Sequence, residues 1–104
     1  MARKQETQFW LRIKPKLEKL GWFFKVQLVA RWGVPDVIGV INGKFVALEL
    51  KASKKGHGGA GEKLQDHILR KITKHGGYAR KVYPENWDEV YKELHSLSKP
   101  QASS

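Results

Sequence analysis

Two carboxylates and a lysine, Asp36, Glu49 and Lys51, carry the chemistry that this 104-residue chain can be read for. They sit at the ends of DVIGVINGKFVALELK, two apolar runs joined by Asn42-Gly43. Asn-Gly between alternating apolar residues specifies a two-residue type I′ turn, in which both central residues take positive φ. That turn sets the pairing of the whole hairpin: Ile41 faces Lys44, Val40 faces Phe45 and, counting outward, Asp36 falls opposite Glu49. Directly opposed residues have Cβ atoms roughly 4.5–5.5 Å apart. At an effective dielectric of about 20, two like charges ~5 Å apart repel by ~3 kcal/mol. Stability alone gives no reason for such a pair. A divalent cation between the two reverses the sign, and hard oxygen donors select Mg²⁺ or Mn²⁺. Lys51, two residues beyond Glu49, points to the same face. A cation, a phosphate and a lysine together suit phosphodiester hydrolysis. The ion acts as Lewis acid and lowers the pKa of a water, and Lys51 orients that water or holds the phosphate. The plainer alternative is a surface Glu–Lys pair at a strand end, with Asp36 an ordinary turn residue after Pro35. A bulge near Pro35 would shift the pairing.

Other elements must hold this hairpin in place. Phe9, Ile13, Leu17 and Leu20 recur at helical spacing, which predicts a helix over 5–20 ended by Gly21. Pro15 inside it predicts a bend or a break into two short helices. WFFKVQLV, residues 22–29, is aromatic and β-branched and reads as a strand, with a loop over 30–34. The hairpin strands fall at about 36–41 and 44–51. One of their faces carries Val37, Ile41, Val46, Leu48 and Leu50, the other Ile38, Val40, Phe45 and Ala47. A sheet apolar on both faces needs cover on both, from helices or a second subunit. KKGHGGAGEK, residues 54–63, reads as a glycine-rich loop. A helix over 63–75 follows, with Leu64, Ile68, Leu69 and Ile72 on one stripe and Gly76-Gly77 at its end. YARKVY, residues 78–83, is a short strand, and 86–97 a last helix with Trp87, Val90, Tyr91 and Leu94 inward. The expected class is α/β in the order αβββαβα. The second helix is a crossover, so the last strand runs parallel to the one before it. One domain spans 1–95, and 96–104 forms a disordered tail.

Composition narrows the partners. Twenty Lys and Arg against ten Asp and Glu give a net charge of +10. Such an excess favours polyanions, nucleic acid before anionic membrane. The absence of cysteine excludes disulfides and thiolate metal sites. No apolar run approaches the ~20 residues that span a bilayer, and the N-terminus has no apolar core of a signal peptide. The chain reads as soluble, intracellular and without a membrane partner.

The residues also resemble a known family. Pro35-Asp36 followed by Glu49-Leu50-Lys51 resembles the PD-(D/E)xK nuclease motif. GVPD before the hairpin, ELK at its end, a glutamine early in the next helix and then GGYARKVY are similar to the small stand-alone VRR-NUC branch often found in phages. The resemblance covers roughly residues 5–95. It implies a restriction-endonuclease-like core, a mixed four-stranded sheet flanked by helices. It implies Asp36 and Glu49 as metal ligands joined by the backbone carbonyl of Leu50, Lys51 as the catalytic lysine, and Gln65 as the glutamine of the following helix. Glu6 matches a first-helix glutamate that reaches the metal directly or through water; its other reading is a solvated first-turn carboxylate favoured by the helix dipole. Pro15 and the long glycine-rich stretch after Lys51 depart from the family's pattern.

The remaining features carry less. The four histidines, at 57, 67, 75 and 95, share no ligand spacing. KKGHGGAGEK lacks the Gly-Lys-Ser/Thr of a phosphate loop, although Lys54 and Lys55 can touch phosphate. Trp10, Trp22 and Trp87 fall on expected core faces. Arg31 and Trp32 either stack on DNA, bury against a second subunit or pack within their loop. The expectation is a Mg²⁺- or Mn²⁺-dependent DNA endonuclease, acting as a homodimer on branched or junction DNA and, by resemblance, leaving a 5′-phosphate. A basic nucleic-acid-binding module without catalysis is the alternative.

Overall fold

The computed structural model describes residues 2–26, 34–53 and 60–99, with side chains from Glu6 in the first helix and from Glu62 in the second. The elements are α1 (Ala2–Glu18), β1 (Trp22–Lys25), β2 (Val37–Ile41), β3 (Lys44–Leu50), α2 (Ala60–Lys74), β4 (Tyr78–Val82) and α3 (Trp87–Ser98). The four strands form one sheet in the order β1-β2-β3-β4. The first three run antiparallel, and β4 joins β3 in parallel after the α2 crossover. This is the expected αβββαβα architecture with a mixed four-stranded sheet.

The turn chemistry works as its residues require. Asn42 and Gly43 both take positive φ, 51° and 84°, the signature of type I′. The ladder that follows pairs Ile41 with Lys44, Val40 with Phe45 and so on to Val37 with Leu48. Gly39 clears space for Phe23, its partner on β1. A Cβ there would come within 2.5 Å of the Phe23 ring.

The core lies on one side of the sheet. Phe9, Ile13 and Leu17 of α1 and Trp87, Val90 and Leu94 of α3 pack on Val37, Ile41, Val46, Leu48, Leu50 and Val82. At the outer strand, Arg80 holds Glu89 at 2.7 Å and Glu93 at 3.2 Å, and the Tyr78 hydroxyl donates to Glu93. Together these fasten α3 to β4. Helix α2 lies against β3 and β4, and Ala47 and Leu69 are buried outside the main cluster.

Several expectations change. Pro15 sits within a single helix, Ala2–Glu18, and produces no second helix. It lies on the exposed side, where water can serve the carbonyl it leaves without a donor. Helix α2 begins at Ala60, so residues 60–63 are helical and not loop. Helix α3 extends to Ser98, which takes residues 96–98 from the expected tail. Trp22 is 63% exposed. It is on the outer face of an edge strand that no described helix covers, so an aromatic strand residue here does not mean core. Leu64 is also exposed, at the margin of the α2 stripe.

Candidate active site

The hairpin delivers its two carboxylates through its register. With Val37 opposite Leu48, the next position sets Asp36 against Glu49. Asp36 Oδ2 accepts a hydrogen bond from the Leu50 backbone N–H at 3.0 Å. The same register sets Leu50 opposite Pro35, which has no N–H to offer the Leu50 carbonyl. Glu49 is only 4% exposed and is the one buried charged side chain among the described residues.

Gln65 binds the two ends of the Glu-Leu-Lys motif together. Its Nε2 donates to Glu49 Oε2 at 2.9 Å, and its Oε1 accepts from Lys51 Nζ at 2.8 Å. Lys51 Nζ also stands 3.6 Å from Glu49 Oε2. A primary amide suits this place because it offers a donor to the carboxylate and an acceptor to the ammonium at once. Lys51 keeps its position on the strand edge through its own N–H, which donates to the Val82 carbonyl at 2.8 Å.

The other oxygen, Glu49 Oε1, is buried and has no hydrogen-bond partner. Burial pushes the Glu49 carboxyl up to about 8 from its ordinary 4.5. The Asp36 charge contributes to that rise and Lys51 opposes it, while the closeness of the Asp36 carboxyl and the Glu6 charge add the rest. Glu6, partly buried on α1, is therefore close enough for Glu49 to feel it. An unmet oxygen on a buried carboxylate that feels the charge of a second one calls for a proton or a cation. Asp36, Glu49 Oε1 and the Leu50 carbonyl are donors of the hard-oxygen kind that Mg²⁺ or Mn²⁺ takes. Among the described residues no three His, Cys, Asp or Glu side chains gather as a metal-binding group. The donor set suits Mg²⁺ all the same, since that ion is held by one or two carboxylates and keeps several waters.

Three charged groups at this end escaped the reading of the sequence. Lys81 is the β4 partner of Glu49. Glu62, at the start of α2, contacts Lys51 Nζ at 3.2 Å and pairs with Lys81 Nζ. Asp66 holds Lys81 from the next turn of the helix at 2.8 Å. Burial and the Lys51 charge lower the pKa of Lys81, while Glu49 raises it. A signal did exist: Glu62, Gln65 and Asp66 fall at i, i+3 and i+4, one face of a helix. It was hidden because residues 60–63 read as loop. Asp36, Glu49, Lys51 and Gln65 are thus brought together, with Glu6 at the margin. Arg31, Trp32, Lys54 and Lys55 lie outside the described residues.

No family model, curated protein or solved structure matches this chain. Its functional reading rests on the geometry of these side chains and on the motif they form.

Proposed function

We propose that this chain is a Mg²⁺- or Mn²⁺-dependent DNA endonuclease of the PD-(D/E)xK kind, with a VRR-NUC-like site. The observation that carries the reading is the Gln65 bridge between Glu49 and Lys51 beside an unmet Glu49 oxygen and Asp36. Asp36, Glu49 and the Leu50 carbonyl would hold the ion, which supplies Lewis acidity and a water of lowered pKa. Lys51 orients the attacking water or steadies the phosphate. Gln65 fixes the Lys51 ammonium and holds Glu49 through Oε2, which leaves Oε1 for the ion. Glu6 adds negative charge and can bind a metal-held water. The net charge of +10 supports a polyanionic substrate.

A homodimer extends the reading. Two cross-strand rows, Trp22–Val40–Phe45 and Phe24–Ile38–Ala47, share the face that carries Asp36 and Glu49. Neither row holds a charge, and Trp22, Phe24, Val40 and Phe45 are exposed. A contiguous exposed apolar patch of this kind marks an interaction surface. In a strongly cationic chain, an uncharged patch is where a second copy meets least repulsion. Two sites in such a pair could act on a junction or branched DNA.

Cleavage of labelled linear, flapped and four-way-junction DNA with Mg²⁺, Mn²⁺ or EDTA tests the reading. Cleavage with either ion and none in EDTA is expected. Tight, salt-sensitive binding with no cleavage under any ion would replace the nuclease with a binding module.

A further inference from the structure

Glu62 occupies an unusual position in this site. Each of its carboxylate oxygens has its own lysine: Oε1 faces Lys51 at 3.2 Å, and Oε2 faces Lys81. The three side chains are largely shielded, at 11% exposure for Glu62, 13% for Lys51 and 23% for Lys81. Two ammonium groups bracketing one carboxylate form the arrangement that also seats a phosphate oxyanion.

The charge balance argues that Glu62 does not stay there when DNA binds. Asp36, Glu49, Glu62 and Asp66 confront Lys51 and Lys81, and a single divalent ion would only neutralise the cluster. The cluster itself would then have no positive charge left for a phosphodiester. Withdrawal of Glu62 frees a cation on each side. Lys51 has three N–H donors and three partners, Gln65, Glu49 and Glu62. Of these, Glu62 is the one whose loss leaves the Glu49–Gln65–Lys51 link intact. Asp66 keeps Lys81 in place from the following turn.

We infer that Lys51 and Lys81 form a phosphate seat, that Glu62 fills it in the free protein, and that a phosphate oxyanion displaces Glu62 on binding. This makes Lys81 a second phosphate-binding residue. The inference deepens the nuclease reading but is measured without turnover.

Binding of a short fluorescent DNA duplex, followed by anisotropy in EDTA across a salt series, tests it. Glu62→Gln should tighten binding by about three- to tenfold. Lys81→Gln should weaken it and reduce the salt slope by about one, as loss of a single phosphate contact does. In the Lys81→Gln background, the gain from Glu62→Gln should shrink. Sodium phosphate and sodium chloride, matched in ionic strength, identify the oxyanion. If phosphate competes no better than chloride, the seat is specific for a polynucleotide backbone; if it competes better, the seat also takes the free ion. Unchanged or weaker binding by a folded Glu62→Gln protein would make the cluster a structural clamp and overturn the inference. Should Glu62→Gln fail to fold, the Lys81→Gln slope decides, and an unchanged slope overturns it. Binding changes as expected with no cleavage under any ion would remove the nuclease and keep the seat. Cleavage with none of these binding changes would do the reverse.

Discussion

Val46 and Phe45 are neighbours on β3, yet Val46 is sealed in the core and Phe45 remains 45% exposed. The same division runs through the sheet. On the side of α1 and α3, the apolar residues of the hairpin are all buried. On the other side α2 covers the β3–β4 half, and the β1–β2 half has no described helix over it. That second face carries the aromatic rows at its turn end and Asp36, Glu49, Lys51 and Lys81 at its other end. One closed face is enough to hold the strands in register. The other is therefore free to carry groups that weaken the fold, such as a buried carboxylate with an unmet oxygen.

The largest effects should separate the two faces by kind. On the site face, Asp36→Asn, Glu49→Gln and Lys51→Ala should each lower cleavage by about a thousand-fold or more, with the fold retained. On the core face, Leu48→Ala should cost about 2–5 kcal/mol of stability. Thermal denaturation beside a cleavage assay checks both. If Glu49→Gln melted as early as Leu48→Ala, Glu49 would belong to the packing and not to the chemistry.

A pH series sharpens the contrast. Glu49 has a folded pKa of about 8, above its ordinary 4.5. The folded state therefore holds the proton more tightly than the unfolded chain does. The stabilisation is fully present below about pH 4.5 and is lost as pH rises through about 8. In EDTA the wild-type Tm should fall across that window, and Glu49→Gln should flatten the curve. Mg²⁺ should restore more stability at the alkaline end, because it replaces a proton already lost. An equal Mg²⁺ shift in Asp36→Asn would place the ion elsewhere.

The smallest effect concerns the aromatic end. Light scattering at micromolar concentration should give about twice the 11.9 kDa of one chain. Trp22→Ser should weaken that association by about tenfold or more while each chain still folds. A monomeric wild type that still cleaves would leave a nicking enzyme with an exposed apolar patch.

The hairpin was legible because its information is local. Asn42-Gly43 specifies the turn, the turn specifies the register, and alternation then places Asp36, Glu49 and Lys51 on one face. Gln65 was legible from the motif and from its place beside the apolar stripe. Lys81 was not, because its place beside Glu49 depends on how far the α2 crossover advances β4 along β3, and no pattern in YARKVY reports that distance. Glu62 was missed for a different reason: glycines at 56, 58, 59 and 61 mask a helix start that packing against the sheet stabilises. Trp22 shows the limit of composition. An aromatic strand marks an apolar surface, but only the layers around it decide whether that surface is covered.

The two-residue turn at Asn42-Gly43 also governs which changes of length the gene can accept. Hairpin tips are exposed, and in most proteins they tolerate added or lost residues. Here, an added or lost residue absorbed by re-pairing of the strands would send Glu49 to the opposite face of the sheet from Asp36, whereas one absorbed in a wider loop would keep the register. A single inserted codon that shifted the pairing would thus dismantle the site while every one of its residues remained encoded.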